Sequence, residues 1–330
     1  MKKLVALLLS ILMVFSFAAC NKEGGSEEGK TDDKVIIGYS LNSMDATMKT
    51  MADYFEQEAK ARGWEPVLLN ANGDTATELT NMESLMNMGA KAVVIMGCDT
   101  DGSAAAIDEL GKAGVPVIIA GRGINATEYY TYVAGDHHEA GKAQAAYLNG
   151  LLDADPALKL NVAFIYGQSG SSSVAQRYEG FEADGINGPH KDRLTLVASQ
   201  YAEFDTQKAY DITTDMLTTY PEINCFVTQS DEQASGIINA IKAKGEKVED
   251  YIIVSIDCSA TGQAYLASGE LDATVLMAMK QLAVSSADYV AKALAGESVD
   301  KKNQVVGYYQ LVTPETYVEV LKQNGMEPAN

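Results

Sequence analysis

The sequence predicts an α/β protein of two doubly wound parallel-sheet lobes, and three observations carry that expectation. From residue 35 onward, short β-branched runs alternate with stretches of 12–18 residues at helical spacing. The strand runs are apolar throughout, without inner alternation, which marks burial on both faces by helical crossovers. The pattern then restarts halfway along, and two units of about 100–150 residues match the usual size of a domain.

The first strand is Val35–Ser40. Beyond it, Met48, Met51, Ala52, Phe55 and Ala59 fall at i, i+3, i+4, i+7 and i+11, one apolar stripe on a helix. A strand at Pro66–Asn70, a helix over about Thr75–Asn87, a strand at Ala92–Met96, a helix over about Ser103–Ala113 and a strand at Pro116–Ala120 follow. Tyr132–Asp136 closes the first series. The second has strands at Asn161–Tyr166, Leu194–Gln200, Asn224–Thr228, Ile252–Asp257 and Ala273–Leu276. Between them lie helices such as the one with Ala234, Ile237, Ile238 and Ile241 on one face. A single last strand near Val305–Val312 precedes a helix from Pro314 to about Gln323, with Thr313 as its cap and Gly325 just past its end. The methionines in these stripes read as core.

The amino terminus sets the compartment. Lys2 and Lys3 precede an apolar run of 16 residues, Leu4–Ala19, which is short for a membrane span and reads as a signal peptide over 1–19. It ends Phe17-Ala18-Ala19-Cys20, which resembles a bacterial lipobox and implies lipidation of Cys20; the alternative is an ordinary signal peptide with a bystander cysteine. Asn21–Lys34 has eight charged residues and no aliphatic side chain, so 20–34 is expected to be a flexible, lipid-anchored tether. The expected location is the extracytoplasmic face of the cell membrane, held by the lipid alone.

With 25 Lys and Arg against 45 Asp and Glu, the chain carries a formal charge of −20 over 330 residues. This argues against nucleic acid and against direct adhesion to an anionic bilayer, both of which need clustered cations. Four cysteines exclude a disulfide-dense scaffold. Cys98, Cys225 and Cys258 are expected to be free thiols, since the positions of the last two at opposite strand ends forbid a bridge.

Motifs for catalysis are missing. Gly-x-Gly-x-x-Gly, the P-loop and His-Glu-x-x-His are all absent, and no cofactor or metal is expected. Gly167-Gln168-Ser169-Gly170 falls one residue short of a nucleophile elbow. His137-His138 opens a helix and reads as an exposed structural pair, and Asp99-Thr100-Asp101-Gly102 as a polar turn. The chain is not expected to be an enzyme.

Polar residues do gather at the carboxyl ends of the predicted strands, where open α/β sheets bind ligands. They are Asn42, Ser43, Asp45, Asp99 and Arg122 in the first lobe, and Gln168, Ser169, Phe204, Asp205, Ser230, Asp231 and Asp257 in the second. Arginine with carboxylate suits a ligand dense in hydroxyls, and Phe204 would cover its C–H face. The competing reading is that these residues end strands or cap helices, Asp205 and Asp231 in particular.

Val117-Ile118-Ile119-Ala120-Gly121-Arg122, Gln176-Arg177-Tyr178-Glu179-Gly180-Phe181, Ala202-Glu203-Phe204-Asp205, Thr228-Gln229-Ser230-Asp231-Glu232 and Val254-Ser255-Ile256-Asp257 resemble the ribose/galactose-type solute-binding proteins of bacterial ABC importers. The similarity runs from about Val35 to Thr313. It implies the type I periplasmic-binding fold, with three crossover segments near Gly135-Asp136, Met277–Lys280 and Val306–Tyr308. The N-terminal lobe would be 35–135 with about 278–306, and the C-terminal lobe 136–277 with about 307–330. The resemblance further implies that Arg122, Arg177 and Asp257 hydrogen-bond a monosaccharide, that Phe204 stacks on it and that Ser230 donates one hydrogen bond. Gly121 replaces an aspartate of the family pattern, Met277 a glutamine or asparagine, and Met44-Asp45-Ala46 a Pro-aromatic-aromatic segment; Asp45, beside Ser43, is expected to restore the lost carboxylate. An ABC permease with its ATPase is the expected partner of a monomeric binding protein. A sensor presenting a sugar-like signal to a membrane receptor or kinase is the alternative.

Overall fold

The computed structural model describes residues 34–307, 309–326 and 328. The signal peptide, Cys20, the tether up to residue 33 and Tyr308 lie outside the described residues.

The elements follow the expected alternation. They are β1 (Val35–Leu41), α1 (Ala46–Ala61), β2 (Trp64–Asn70), α2 (Thr75–Asn87), β3 (Ala92–Met96), α3 (Ala104–Lys112), β4 (Val117–Ala120) and β5 (Thr131–Ala134). Then come α4 (His137–Ala154), β6 (Leu160–Tyr166), α5 (Ser172–Phe181, running on as a π-helical turn to Ile186), β7 (Leu194–Tyr201), α6 (Thr206–Thr219), β8 (Cys225–Thr228), α7 (Asp231–Lys244) and β9 (Ile252–Val254). The chain ends with α8 (Ala260–Ser268), β10 (Thr274–Met277), α9 (Met279–Leu294), β11 (Asn303–Val305), β12 (Tyr309–Val312) and α10 (Tyr317–Gln323).

Six parallel strands make the first sheet, in the order β11-β5-β4-β3-β1-β2. The stripe of α1, with α9, covers one face through Met51, Phe55, Leu282, Ala283 and Val290, while α2 and α3 cover the other through Met82, Leu85, Ile107 and Leu110. The second sheet has four parallel strands, β7-β6-β8-β9. It is extended by bridges from Val254 to Ala273 and from Asp257 to Leu276 onto β10, which pairs antiparallel with β12. Here α4 and α5 pack on one face, and α6, α7, α8 and α10 on the other. Burial on both faces is the physical reason the strand runs carry no alternation.

Several expectations need correction. The single last strand is two: the chain breaks at Gly307 (φ 76°), so β11 joins the first sheet parallel to β5 while β12 reverses against β10 in the second. The last helix begins at Tyr317, not at Pro314. Thr313 closes a turn ahead of it, its carbonyl accepting from the amides of Thr316 and Tyr317, and gives no side-chain cap. Trp64 opens β2, at the amino end, with the Arg62 guanidinium 5.6 Å from its ring centre. Cys98, Cys225 and Cys258 are free and buried, as expected.

Candidate ligand-binding site

The chain passes between the two sheets at Gly135-Asp136, at Ala278 and between Val305 and Tyr309, so the carboxyl ends of both sheets face one cleft. Asn42, Asp45, Thr47 and Arg122 meet Arg177, Phe204, Ser230, Glu232, Asp257 and Met277 around one cavity. Of the residues singled out in the sequence, Arg122, Arg177, Asp257, Phe204, Ser230, Asp45 and Met277 all line it. Ser43 does not. Its hydroxyl donates to Oδ2 of Asp45 at 2.6 Å and it borders a neighbouring groove.

Each side chain is held by the turn it sits on. Asp45 caps α1, its Oδ1 accepting from the Met48 amide at 2.9 Å. Ser230 caps α7, its hydroxyl receiving the Gln233 amide and donating to Gln233 Oε1, both at 3.3 Å. Phe204 (φ 58°) and Asp257 (φ 119°) adopt backbone conformations that L side chains seldom take, and such strain is stored where surrounding structure fixes a functional side chain. Arg177 rides on α5. That helix lies so close to α4 that a Cβ on Gly141 would stand 1.8 Å from the Arg177 carbonyl oxygen, a distance only glycine tolerates. Gln229, fully buried, accepts from the Gly167 amide (3.1 Å), donates to the Val174 carbonyl (3.0 Å) and offers its own carbonyl to Nη1 of Arg177 (3.0 Å).

Electrostatics single out the same residues. Arg122 and Arg177 are 7% and 4% exposed, and among the described residues neither forms an ion pair. Burial, with the nearby Arg177 charge, brings Arg122 down to about 10. Burial and the negative charge of Asp231 push the Asp257 carboxyl well above the usual range, against the opposing pull of Arg177. Asp257 Oδ2 accepts from Thr47 Oγ1 at 3.2 Å, across the cleft.

Further contacts span the cleft. Arg122 Nη1 donates to Gln168 Oε1 (3.0 Å), the Thr100 amide and hydroxyl to the Gly170 carbonyl (3.0 and 2.8 Å), and Ser172 Oγ to the Gly123 carbonyl (2.9 Å). The Arg122 guanidinium carbon lies 5.8 Å from the Phe204 ring centre.

Two sequence readings change. Asp231 is not a cap. It is the first residue of α7, fully buried, accepting from the Ser255 hydroxyl, Thr274 Oγ1 (2.7 Å) and the Ser259 amide (2.6 Å) beneath the cleft floor. His137 is not exposed: it is 2% accessible and lines the cavity, whereas His138 beside it is open to solvent. His137 Nε2 lies 2.5 Å from the Gly121 carbonyl and Nδ1 lies 2.6 Å from Tyr309 Oη. With Tyr309 donating to Nδ1 and Nε2–H donating to Gly121, the ring is neutral, and burial with the Arg177 charge brings it down to about 3. His137, Thr47 and Ser173 are cavity residues the sequence reading missed; the position of His137 directly after a crossover was the available signal.

A family model for the periplasmic binding protein domain matches residues 37–298. The chain belongs to the periplasmic binding protein family. As a member of it, the chain is 27% identical over 305 residues to the ribose import binding protein of Escherichia coli (strain K12), covering 92% of this chain and 97% of the relative. Identity to the Haemophilus influenzae ribose import binding protein is 29% over 307 residues, covering 92% and 97%. An ABC transporter solute binding protein from Bacillus halodurans C-125 with bound myo-inositol matches with a TM-score of 0.79 at 26% identity, covering 88% of this chain and 98% of that one. The two sheets and their crossovers are the type I periplasmic-binding fold of these proteins.

Proposed function

We propose that this periplasmic binding protein captures a small hydroxyl-rich ligand, a monosaccharide or close relative, between two closing lobes and delivers it to an ABC permease. The observation that carries the reading is the pair of buried guanidiniums without ion-pair partners, set beside the buried Asp257 carboxyl around one cavity. Vicinal hydroxyls satisfy such a set, accepting from the arginines and donating to the carboxyl oxygens. Arg122, Arg177, Asp257, Phe204, Ser230 and Asp45 are the proposed contacts. The ribose-import relatives and the myo-inositol-bound neighbour support the same class.

The lobes are proposed as 35–135 with about 278–306, and 136–277 with about 307–330. Ligand contacts both at once and so favours the closed arrangement. The reading includes export, a lipid on Cys20 and a monomer on the outer face of the membrane, where tethering raises the local concentration at the permease. A membrane receptor or kinase is the competing partner in the sensor reading; the fructose binding periplasmic domain of the hybrid two component system BT1754 shares the fold (TM-score 0.79, 22% identity).

A thermal-shift screen against pentoses, hexoses, polyols and nucleosides tests the ligand class. A ligand at about a thousand times its Kd stabilises by roughly 4 kcal/mol, a shift of several degrees. No shift from any compound, with cooperative unfolding intact, overturns the reading.

A further inference from the structure

Thioethers build the wall beside the two guanidiniums. Gly121 has φ 75°, and a Cβ there would stand 2.3 Å from Cε of Met96. The methionine methyl thus fills the place that a side chain next to Arg122 would take, and Met96 is itself 2% exposed. From the other sheet Met277 brings its Sδ to 3.3 Å from Nη2 of Arg177. Both methionines line the cavity. Behind Gly121 and Met277, Ala278, Leu282 and Val306 continue the apolar packing, and the polar groups on that side, His137 and Tyr309, are bonded to each other.

A thioether is a weak acceptor and no donor. A ligand hydroxyl turned toward this wall gives up its water for little, whereas a C–H or methyl group loses nothing there and gains dispersion contact. Resting on the reading of the chain as a sugar binder, the geometry points to a ligand with a deoxy carbon or methyl group seated against Met96 and Met277. Its remaining hydroxyls face Arg122, Arg177 and Asp257. Met277 and Met96 are then specificity-determining residues, and the bound class is deoxy sugars or methyl-bearing polyols over their fully hydroxylated counterparts.

Titration calorimetry on pairs differing by one hydroxyl tests this: D-fucose against D-galactose, L-rhamnose against L-mannose, and 2-deoxy- and 5-deoxy-D-ribose against D-ribose. In at least one pair the deoxy member should bind about 10- to 100-fold more tightly, the range over which an apolar pocket rejects an added hydroxyl. Met277→Gln should shrink that ratio or reverse it, and Met277→Leu should keep it; Met277→Ser replaces the glutamine variant if that one does not unfold cooperatively. Equal or tighter binding of the hydroxylated member in every pair overturns the inference while leaving the sugar-binding reading standing. So does a ratio unmoved by the polar variant. Binding of no compound in the set overturns the inference, and the wider thermal-shift screen then decides separately whether the sugar-binding reading stands.

Discussion

The Arg122 guanidinium donates to Oε1 of Gln168 at 3.0 Å, and the two residues follow strands of opposite sheets. The bond joins a ligand-facing charge to a residue whose amide also reaches the Gly73 carbonyl at 3.5 Å. Arg122 and Gln168 should therefore separate in their effects. Arg122→Ala removes charge-assisted bonds of about 1.5–3 kcal/mol each and should cost roughly 100-fold or more in ligand affinity. Gln168→Ala should cost only about tenfold while enlarging the radius of gyration in X-ray scattering without added ligand. A Gln168→Ala protein with unchanged scattering would show that this contact does not hold the lobes together.

Placement of Arg177 depends on the close approach of α4 and α5. Gly141→Ala should destabilise the fold by about 1–3 kcal/mol, because its methyl group meets the Arg177 carbonyl oxygen at 1.8 Å. The displaced helix carries the guanidinium with it, so affinity should fall as well. Ala145→Gly on the same helix serves as a control for helix propensity. Equal affinity in the two variants would detach Arg177 from this packing.

Asp257 should leave a signature in the pH dependence of stability. Its folded carboxyl is pushed up by burial and by Asp231, which itself rises to about 6. A raised carboxyl contributes stability that is complete below the unfolded value of about 4 and is lost as pH climbs through the folded value. His137 works the other way: held down to about 3, it contributes stability above about 6.5 that is lost as pH falls. The wild-type curve alone thus mixes opposing slopes. In denaturant titrations without ligand, the stability of wild type minus that of Asp257→Asn should decrease as pH rises above about 4 and level off once pH has passed the folded value. A difference independent of pH rejects the assignment.

His137 ties the crossovers to the site. Its two ring nitrogens meet the Gly121 carbonyl and Tyr309 Oη, and Tyr309 Oη lies 3.7 Å from Met277 Sδ. Removing the ring takes away the partner of the Gly121 carbonyl and leaves Tyr309 Oη only its weaker contact with Met277 Sδ. His137→Ala should accordingly lose roughly 1–3 kcal/mol, with affinity falling because Gly121 precedes Arg122. A variant as stable as wild type would mean that water replaces the ring.

Most of the architecture was legible because burial on both faces writes itself into β3, β4 and β8 as unbroken apolar runs, and into α1 as a stripe. Asn42, Asp45, Arg122, Phe204, Ser230, Asp257 and Met277 line one cavity because strand ends of an open sheet share a side, whereas Asp99, Ser169 and Asp205 fall outside its lining. What the sequence concealed depends on partners far along the chain. His137 and Tyr309 are 172 positions apart, and Arg177 finds the Gln229 carbonyl 52 positions away. No local pattern records such pairings. The reversal of β12 was equally hidden, since a four-residue strand carries no sign of its direction.

The contacts that Thr47, Thr100, Arg122 and Ser172 make across the cleft bear on binding kinetics as well as on affinity. If ligand entry needs those contacts to part, the association rate in stopped-flow mixing should level off at high ligand concentration, at a ceiling set by the frequency of opening, and the residence time of a bound ligand should follow the same event. A rate that stays linear in ligand would show that the cavity fills without their parting.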